Sequence, residues 1–193
     1  MRRLCIFCGS SPGRNGAYTD AAKRLAQAMA GRGIGLVYGG GSVGVMGAVA
    51  DAMAAAGGEV IGVIPEFLQR REVAHEGVSD LRVVATMHER KALMADLSDG
   101  FVALPGGIGT MEEFFEVWTW TQLGAHAKPC ALLNVEGYFD KLLGFLDHMV
   151  EERFLAPTHR GIVFVEQEPE TLLDRIGQFA APDTDKWLDR NKT

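Results

Sequence analysis

The sequence has no long apolar run. After Arg2 and Arg3 only Leu4–Phe7 is continuously hydrophobic, which is too short for a signal-peptide core. No stretch approaches the roughly 20 residues of a membrane-spanning helix. Positive charge is not in excess either: 19 Lys and Arg stand against 25 Asp and Glu, a net charge of -6. That argues against a nucleic-acid backbone or an anionic membrane surface as the main partner. The five histidines form no H-E-x-x-H and the three cysteines give no zinc spacing, so no metal is expected. A P-loop G-x-x-x-x-G-K-[ST] is missing, and no motif places a lysine as a pyridoxal-phosphate anchor, so no cofactor is expected. A cytoplasmic setting is the expectation.

Cysteine is scarce, yet Cys5 and Cys8 form a C-x-x-C, the spacing of redox motifs. Both fall in a strand-like run. Side chains three apart on a strand point to opposite faces, and the Cα atoms would stand about 10 Å apart, beyond disulfide reach. Cys5, Cys8 and Cys130 therefore read as reduced core or near-core residues.

What is present suits one soluble domain with a real core: 193 residues, 47% hydrophobic and 23% charged. Strands are expected at 3–8, 34–38, 59–64, 81–85, 101–104, 130–134 and 162–165. Helices are expected at 16–31, 43–56, 87–98, 111–123, 138–152 and 169–179, with 65–77 a charged connection. Residues 1–181 read as a single domain and 182–193 as a polar tail. This alternation predicts an α/β, Rossmann-like, doubly wound parallel sheet of about seven strands with helices on both faces. Ligands in such folds sit beyond the carboxyl ends of the strands, where strand order reverses. The glycine-bearing turns after strands one, two and five all lie at that edge.

The stretch Leu104–Glu113, L-P-G-G-I-G-T-M-E-E, concentrates the chemistry. Glycines sit where a buried strand becomes a helix, so the backbone can approach a ligand and the helix start offers N–H groups to a phosphate. Thr110 and Glu113 fit a capping box, a structural use for Glu113. The helix beyond carries Phe114, Phe115, Val117, Trp118, Trp120 and Leu123 around most of its circumference, as a buried or docked helix does. Glu112, Glu113 and Glu116 on it are costly unless they meet water, a cation or a substrate.

Three other motifs carry candidate chemistry. Gly9-Ser10-Ser11-Pro12-Gly13 matches a nucleophile elbow, but Pro12 lacks the N–H that the elbow needs. Ser10 is instead a candidate for phosphate or sugar contact, or part of a plain turn. Gly39–Gly44 matches G-x-G-x-x-G, with Gly40 inside it and Glu66 near the ribose-acid spacing. It follows the second strand rather than the first, and close packing accounts for several of its glycines, so a dinucleotide-dependent oxidoreductase is a minor reading. Thr86 and Glu89 fit another capping box. Arg90 and Lys91, one turn in, run against the helix-dipole preference and point to an anionic partner.

Pro105–Glu113 (P-G-G-I-G-T-M-E-E) with Met87–Lys91 (M-H-E-R-K) resembles the Lonely Guy family of cytokinin riboside 5'-monophosphate phosphoribohydrolases. The likeness extends to Cys8–Gly13, Tyr38–Gly47 and Leu132–Asp140. Members have also carried a lysine decarboxylase label. The resemblance implies a Rossmann-like homodimer with active sites near the interface, and hydrolysis of the N-glycosidic bond of cytokinin riboside 5'-monophosphates and AMP. The products are the free base and ribose 5-phosphate. It implies Arg90 and Glu113 as the catalytic pair. Lys91 and the turn Gly106, Gly107, Ile108, Gly109 and Thr110 would hold phosphate and ribose, with Glu72 and Thr119 completing the pocket. The glycosidic bond breaks through an oxocarbenium-like ribosyl cation, which a carboxylate stabilises. The rival reading is a non-catalytic nucleotide or cofactor carrier, since such loops also resemble those of molybdenum-cofactor carrier proteins.

Overall fold

Strand-forming runs in this chain are short and bounded by glycine, proline or charge, and in the computed structural model they pair into one fully parallel sheet. The structure describes residues 1–69, 74, 75, 77, 78 and 80–180; Glu72 and the tail from residue 182 lie outside them. Strand β1 is Arg3–Phe7, β2 Gly35–Tyr38, β3 Val60–Pro65, β4 Asp80–Val84, β5 Phe101–Ala103, β6 Cys130–Leu133 and β7 Val163–Glu166. The longer helices are α1 (Ala17–Gly31), α2 (Gly44–Ala55), α4 (Met87–Leu97), α5 (Ile108–Gln122), α6 (Asp140–Glu151) and α8 (Pro169–Gly177). Two single turns, α3 (Glu66–Gln69) and α7 (Pro157–Arg160), add to the helices expected from the sequence. Four residues are too few to show an apolar periodicity.

The sheet order is β4-β3-β2-β1-β5-β6-β7. The chain builds outward from β1 to β4, then returns to lay β5 against the other side of β1, with Cys5 opposite Phe101 and Phe7 opposite Ala103. Strand order therefore reverses between β1 and β5, and the turns after these two strands flank the crevice. Helices cover both faces, which is why the strands read as nearly continuous apolar runs rather than alternating ones. On one face α1, α2 and α8 pack Leu25, Met29, Val49 and Leu172 against the sheet. On the other, α4, α5 and α6 contribute Met94, Phe114, Trp118 and Leu146. Burying each such side chain contributes about 1.5–3 kcal/mol.

Cys5 packs in the second cluster and Cys8 in the first, on opposite faces of the sheet as the strand period requires. All three cysteines are free and buried. Burial pushes each thiol upward, that of Cys130 to about 12.

Glycines of the Gly39–Gly44 turn are used in packing. A Cβ on Gly40 would meet Ile64 and Leu81, and one on Gly44 would fall 2.3 Å from the Ser10 backbone. Close packing thus fuses the turn after β2 to the turn after β1.

Candidate active site

Helix α5 begins earlier than the capping-box reading placed it. Gly107, in an extended conformation, is its N-cap, with no side-chain cap bond. The first helical bond runs from the Met111 N–H to the Gly107 carbonyl at 3.2 Å. Amides of the first turn consequently have no acceptor within the helix. Thr110 is the third helical residue rather than the cap, and it is buried at 4% exposure. Its hydroxyl lies where a Cβ on Gly106 would sit, 2.1 Å away. Glu113, almost two turns in, has no capping role. The sequence concealed this start because glycine and threonine are poor helix formers. Around Gly107 and Gly109 an added Cβ would meet nothing within 4 Å. The absent side chains leave open space in front of the helix start.

Helix α4 is capped as its sequence indicates. The Glu89 N–H donates to Thr86 Oγ1 at 3.1 Å, and Glu89 Oε2 accepts from the Ala85 N–H at 2.9 Å. This cap fixes the first turn and so the direction in which Arg90 leaves it. Arg90 runs inward and is 5% exposed. Its Nη2 donates to the Gly39 carbonyl at 3.0 Å, which requires glycine there: a Cβ on Gly39 would stand 2.0 Å from Nη2. Nη1 lies 4.0 Å from Glu113 Oε1. A buried guanidinium is strongly unfavourable unless paired and hydrogen-bonded, and Gly39 and Glu113 supply both conditions. The 4.0 Å separation exceeds the ~2.8 Å of a direct charge-assisted bond. The two groups attract without being locked together.

Arg90 and Glu113 line a cavity of about 340 Å3 with Ser10, Thr110 and Glu112 as further polar groups and Met46, Leu68 and Met87 as an apolar wall. Cys8 also borders it. Burial, reinforced by the negative charge of Glu113, keeps that thiol far above its usual range, which disfavours the thiolate form that a nucleophile needs. A second cavity, about 320 Å3, lies across the ridge formed by Gly9 and Gly107 and is bordered by Tyr18, Val45, Gly106 and Tyr138. Ser10 is exposed and borders both cavities.

The structure thus brings together Arg90, Glu113, Ser10 and the turn Gly106–Thr110. Three further expected residues make other contacts. Lys91 Nζ donates to Glu112 Oε1 at 2.6 Å and to Glu116 Oε1 at 3.1 Å, tying α4 to α5. Burial lowers its pKa, but the two carboxylates outweigh that and leave it raised. Thr119 is exposed, with its hydroxyl bonded to the Phe115 carbonyl at 2.7 Å. Gly40 packs against the Ile64 and Leu81 side chains. None of these three is among the described residues lining either cavity. Sequence reasoning missed Leu68, Met46 and Met87, whose apolar side chains carry no chemical signal. It also missed the contact between Gly39 and Arg90, which depends on tertiary placement.

Sheet order and site define a Rossmann-like α/β protein whose cleft, at the point of strand reversal, joins a helix N-terminus to a buried arginine and a partly buried glutamate. The solved molybdenum cofactor carrier protein of Chlamydomonas reinhardtii shares this fold. Its TM-score is 0.69, with 22% identity, over 92% of this chain and 96% of that one. A family model described as "Possible lysine decarboxylase" matches residues 46–176. The cytokinin riboside 5'-monophosphate phosphoribohydrolase LOG3 of Arabidopsis thaliana is 51% identical over 180 residues, 93% of this chain and 84% of that protein. The "Probable cytokinin riboside 5'-monophosphate phosphoribohydrolase LOGL6" of Oryza sativa subsp. japonica is 51% identical over 93% of this chain and 72% of its own length. The chain belongs to this family, the cytokinin riboside 5'-monophosphate phosphoribohydrolases.

Proposed function

We propose that this protein hydrolyses the N-glycosidic bond of cytokinin riboside 5'-monophosphates, and of AMP, to the free base and ribose 5-phosphate. The observation that carries this reading is the pairing of buried Arg90 with partly buried Glu113, 4.0 Å apart, in the cleft that also holds the start of α5. The amides of that helix start, which have no acceptor within the helix, suit the 5'-phosphate, with the helix dipole favouring its charge. Gly107 and Gly109 leave room for it.

With the phosphate there, the ribose meets Glu113. As the C1'–N9 bond stretches, positive charge builds on the ring and the Glu113 carboxylate stabilises it. The same carboxylate orients the water whose oxygen bonds to C1'. The electron pair of the broken bond leaves with the base, which takes up a proton, and the attacking water loses one as its oxygen bonds to C1', so that one water is added overall. Arg90 places its charge beside that centre, fixed by the Gly39 carbonyl. Removing one preorganised electrostatic partner of this kind costs about 100- to 1000-fold in kcat.

The proposal extends to assembly and setting. Ile108, at the mouth of the cleft, is 90% exposed, and Leu123 at the end of α5 is 62% exposed. Thr119 faces outward on the same helix. A homodimer that covers α5 would bring this face to a second copy, near the active sites; a monomer in sedimentation equilibrium would exclude it. Buried, free thiols suit a reducing cytoplasm. The enzymatic reading is tested by incubating the protein with AMP and with N6-isopentenyladenosine 5'-monophosphate. Base and ribose 5-phosphate should appear in equal amounts. Tight nucleotide binding with no base released would instead mark a carrier.

A further inference from the structure

The β6–α6 connection is more elaborate than a link between two elements requires. After β6, Asn134 clamps it: Oδ1 accepts from the Phe139 N–H at 2.7 Å and Nδ2 donates to Asp140 Oδ1 at 2.7 Å. Between these anchors the backbone makes a 3-10 turn, Val135–Gly137, with positive φ at Glu136 (53°) and Gly137 (67°). A non-glycine residue in that region carries strain, which persists only where the surroundings over-determine it. The product of this conformation is the position of Tyr138. Its ring meets Tyr18 edge-on at 5.7 Å, and its hydroxyl donates to the Gly106 carbonyl at 2.6 Å.

That carbonyl is the middle one of three. The Pro105 carbonyl accepts from the Gly9 N–H at 3.2 Å, and the Gly107 carbonyl accepts from the Met111 N–H at 3.2 Å. Three successive peptide planes are therefore held by their oxygens. No peptide bond is cis, and in a trans peptide the N–H points opposite to the C=O. Holding the Gly106 oxygen on the Tyr138 side thus aims the Gly107 N–H away from Tyr138. This amide belongs to the N-cap residue of α5, where an added Cβ would meet nothing within 4 Å.

We infer that Tyr138 is a positioning residue for phosphate recognition: its hydroxyl fixes the Gly106–Gly107 peptide so that the Gly107 N–H is presented to the 5'-phosphate. The inference rests on the proposed nucleotide reading and adds to it a residue that borders the second cavity rather than the Arg90 cleft. It separates binding from chemistry, because Tyr138 fixes the phosphate end while Glu113 acts at C1'.

The test is Tyr138→Phe, which keeps the ring and removes only the hydroxyl. Loss of one hydrogen bond of ordinary strength corresponds to roughly a 3- to 10-fold effect. KM for AMP should rise by about that factor while kcat stays within about twofold. Calorimetric affinity for AMP and for inorganic phosphate should fall alike, and affinity for adenosine, which lacks the phosphate, should not. Equal losses for AMP and adenosine, or an unchanged affinity for AMP, would overturn the inference. The binding arm distinguishes the two failures. If wild type releases no base, the enzymatic reading fails, yet the AMP-against-adenosine comparison still decides the role of Tyr138.

Discussion

Gly39→Ala should disable the enzyme through Arg90 alone. Gly39 has no positive φ, so alanine is tolerated by the backbone. Its Cβ, however, would lie 2.0 Å from Arg90 Nη2, where ordinary contact begins at 3.4 Å. The guanidinium must retreat by about 1.4 Å, which breaks its 3.0 Å bond to the Gly39 carbonyl and alters its distance from Glu113. A displacement of about 1 Å in a catalytic constellation costs about 100-fold, equivalent to about 2.7 kcal/mol in the barrier. The assay is kcat/KM for base release by wild type, Gly39→Ala, Arg90→Ala and the double variant, with circular dichroism to verify folding. Gly39→Ala should lose about 100-fold in the wild-type background and almost nothing more once Arg90 is gone. Wild-type activity in Gly39→Ala, or a full additional loss in the Arg90→Ala background, refutes the reasoning.

Two further outcomes are expected. Lys91 is 11% exposed between Glu112 and Glu116, and its pKa is raised in the folded state above the ordinary 10.5. Its stabilising contribution is therefore complete below that value and is lost as pH climbs through the folded one. Lys91→Met should lower stability by about 1 kcal/mol near pH 7, a shift of about 2–4 °C in Tm, and the difference should vanish in strong alkali; a gap that widens with pH would contradict this. Cys5, Cys8 and Cys130 are buried with raised thiol pKa values. At pH 8 a thiol with a pKa of about 12 is thiolate to about one part in ten thousand. Native protein should resist iodoacetamide at pH 8, while denatured protein takes up three equivalents; rapid labelling of the native form would show the thiols to be accessible.

The sheet was legible in the sequence because its strands are apolar, short and punctuated. All seven lie within a residue or two of their expected positions. The Thr86–Glu89 cap was legible for a local reason: both partners lie within four residues. The start of α5 was not. Gly107 ends the loop by an extended backbone, and the loop before it is held by Gly9 on the Pro105 carbonyl and Tyr138 on the Gly106 carbonyl, contacts that no local pattern encodes. The three acidic residues of α5 illustrate a partial success. Their cost called for water, a cation or a substrate, and the structure supplies cations: Lys91 meets Glu112 and Glu116, while Arg90 meets Glu113. Which cation takes which carboxylate follows from how α4 lies across α5. Motif likeness supplied Arg90 and Glu113 as a pair, and geometry supplied the reason for Gly39.

The most direct test of the account compares Glu113→Gln with wild type on N6-isopentenyladenosine 5'-monophosphate in single-turnover mode. Glutamine keeps the shape and removes the charge, so binding should persist while base release slows about 100- to 1000-fold. Release by Glu113→Gln at the wild-type rate would contradict the central claim that the Glu113 carboxylate stabilises the breaking glycosidic bond.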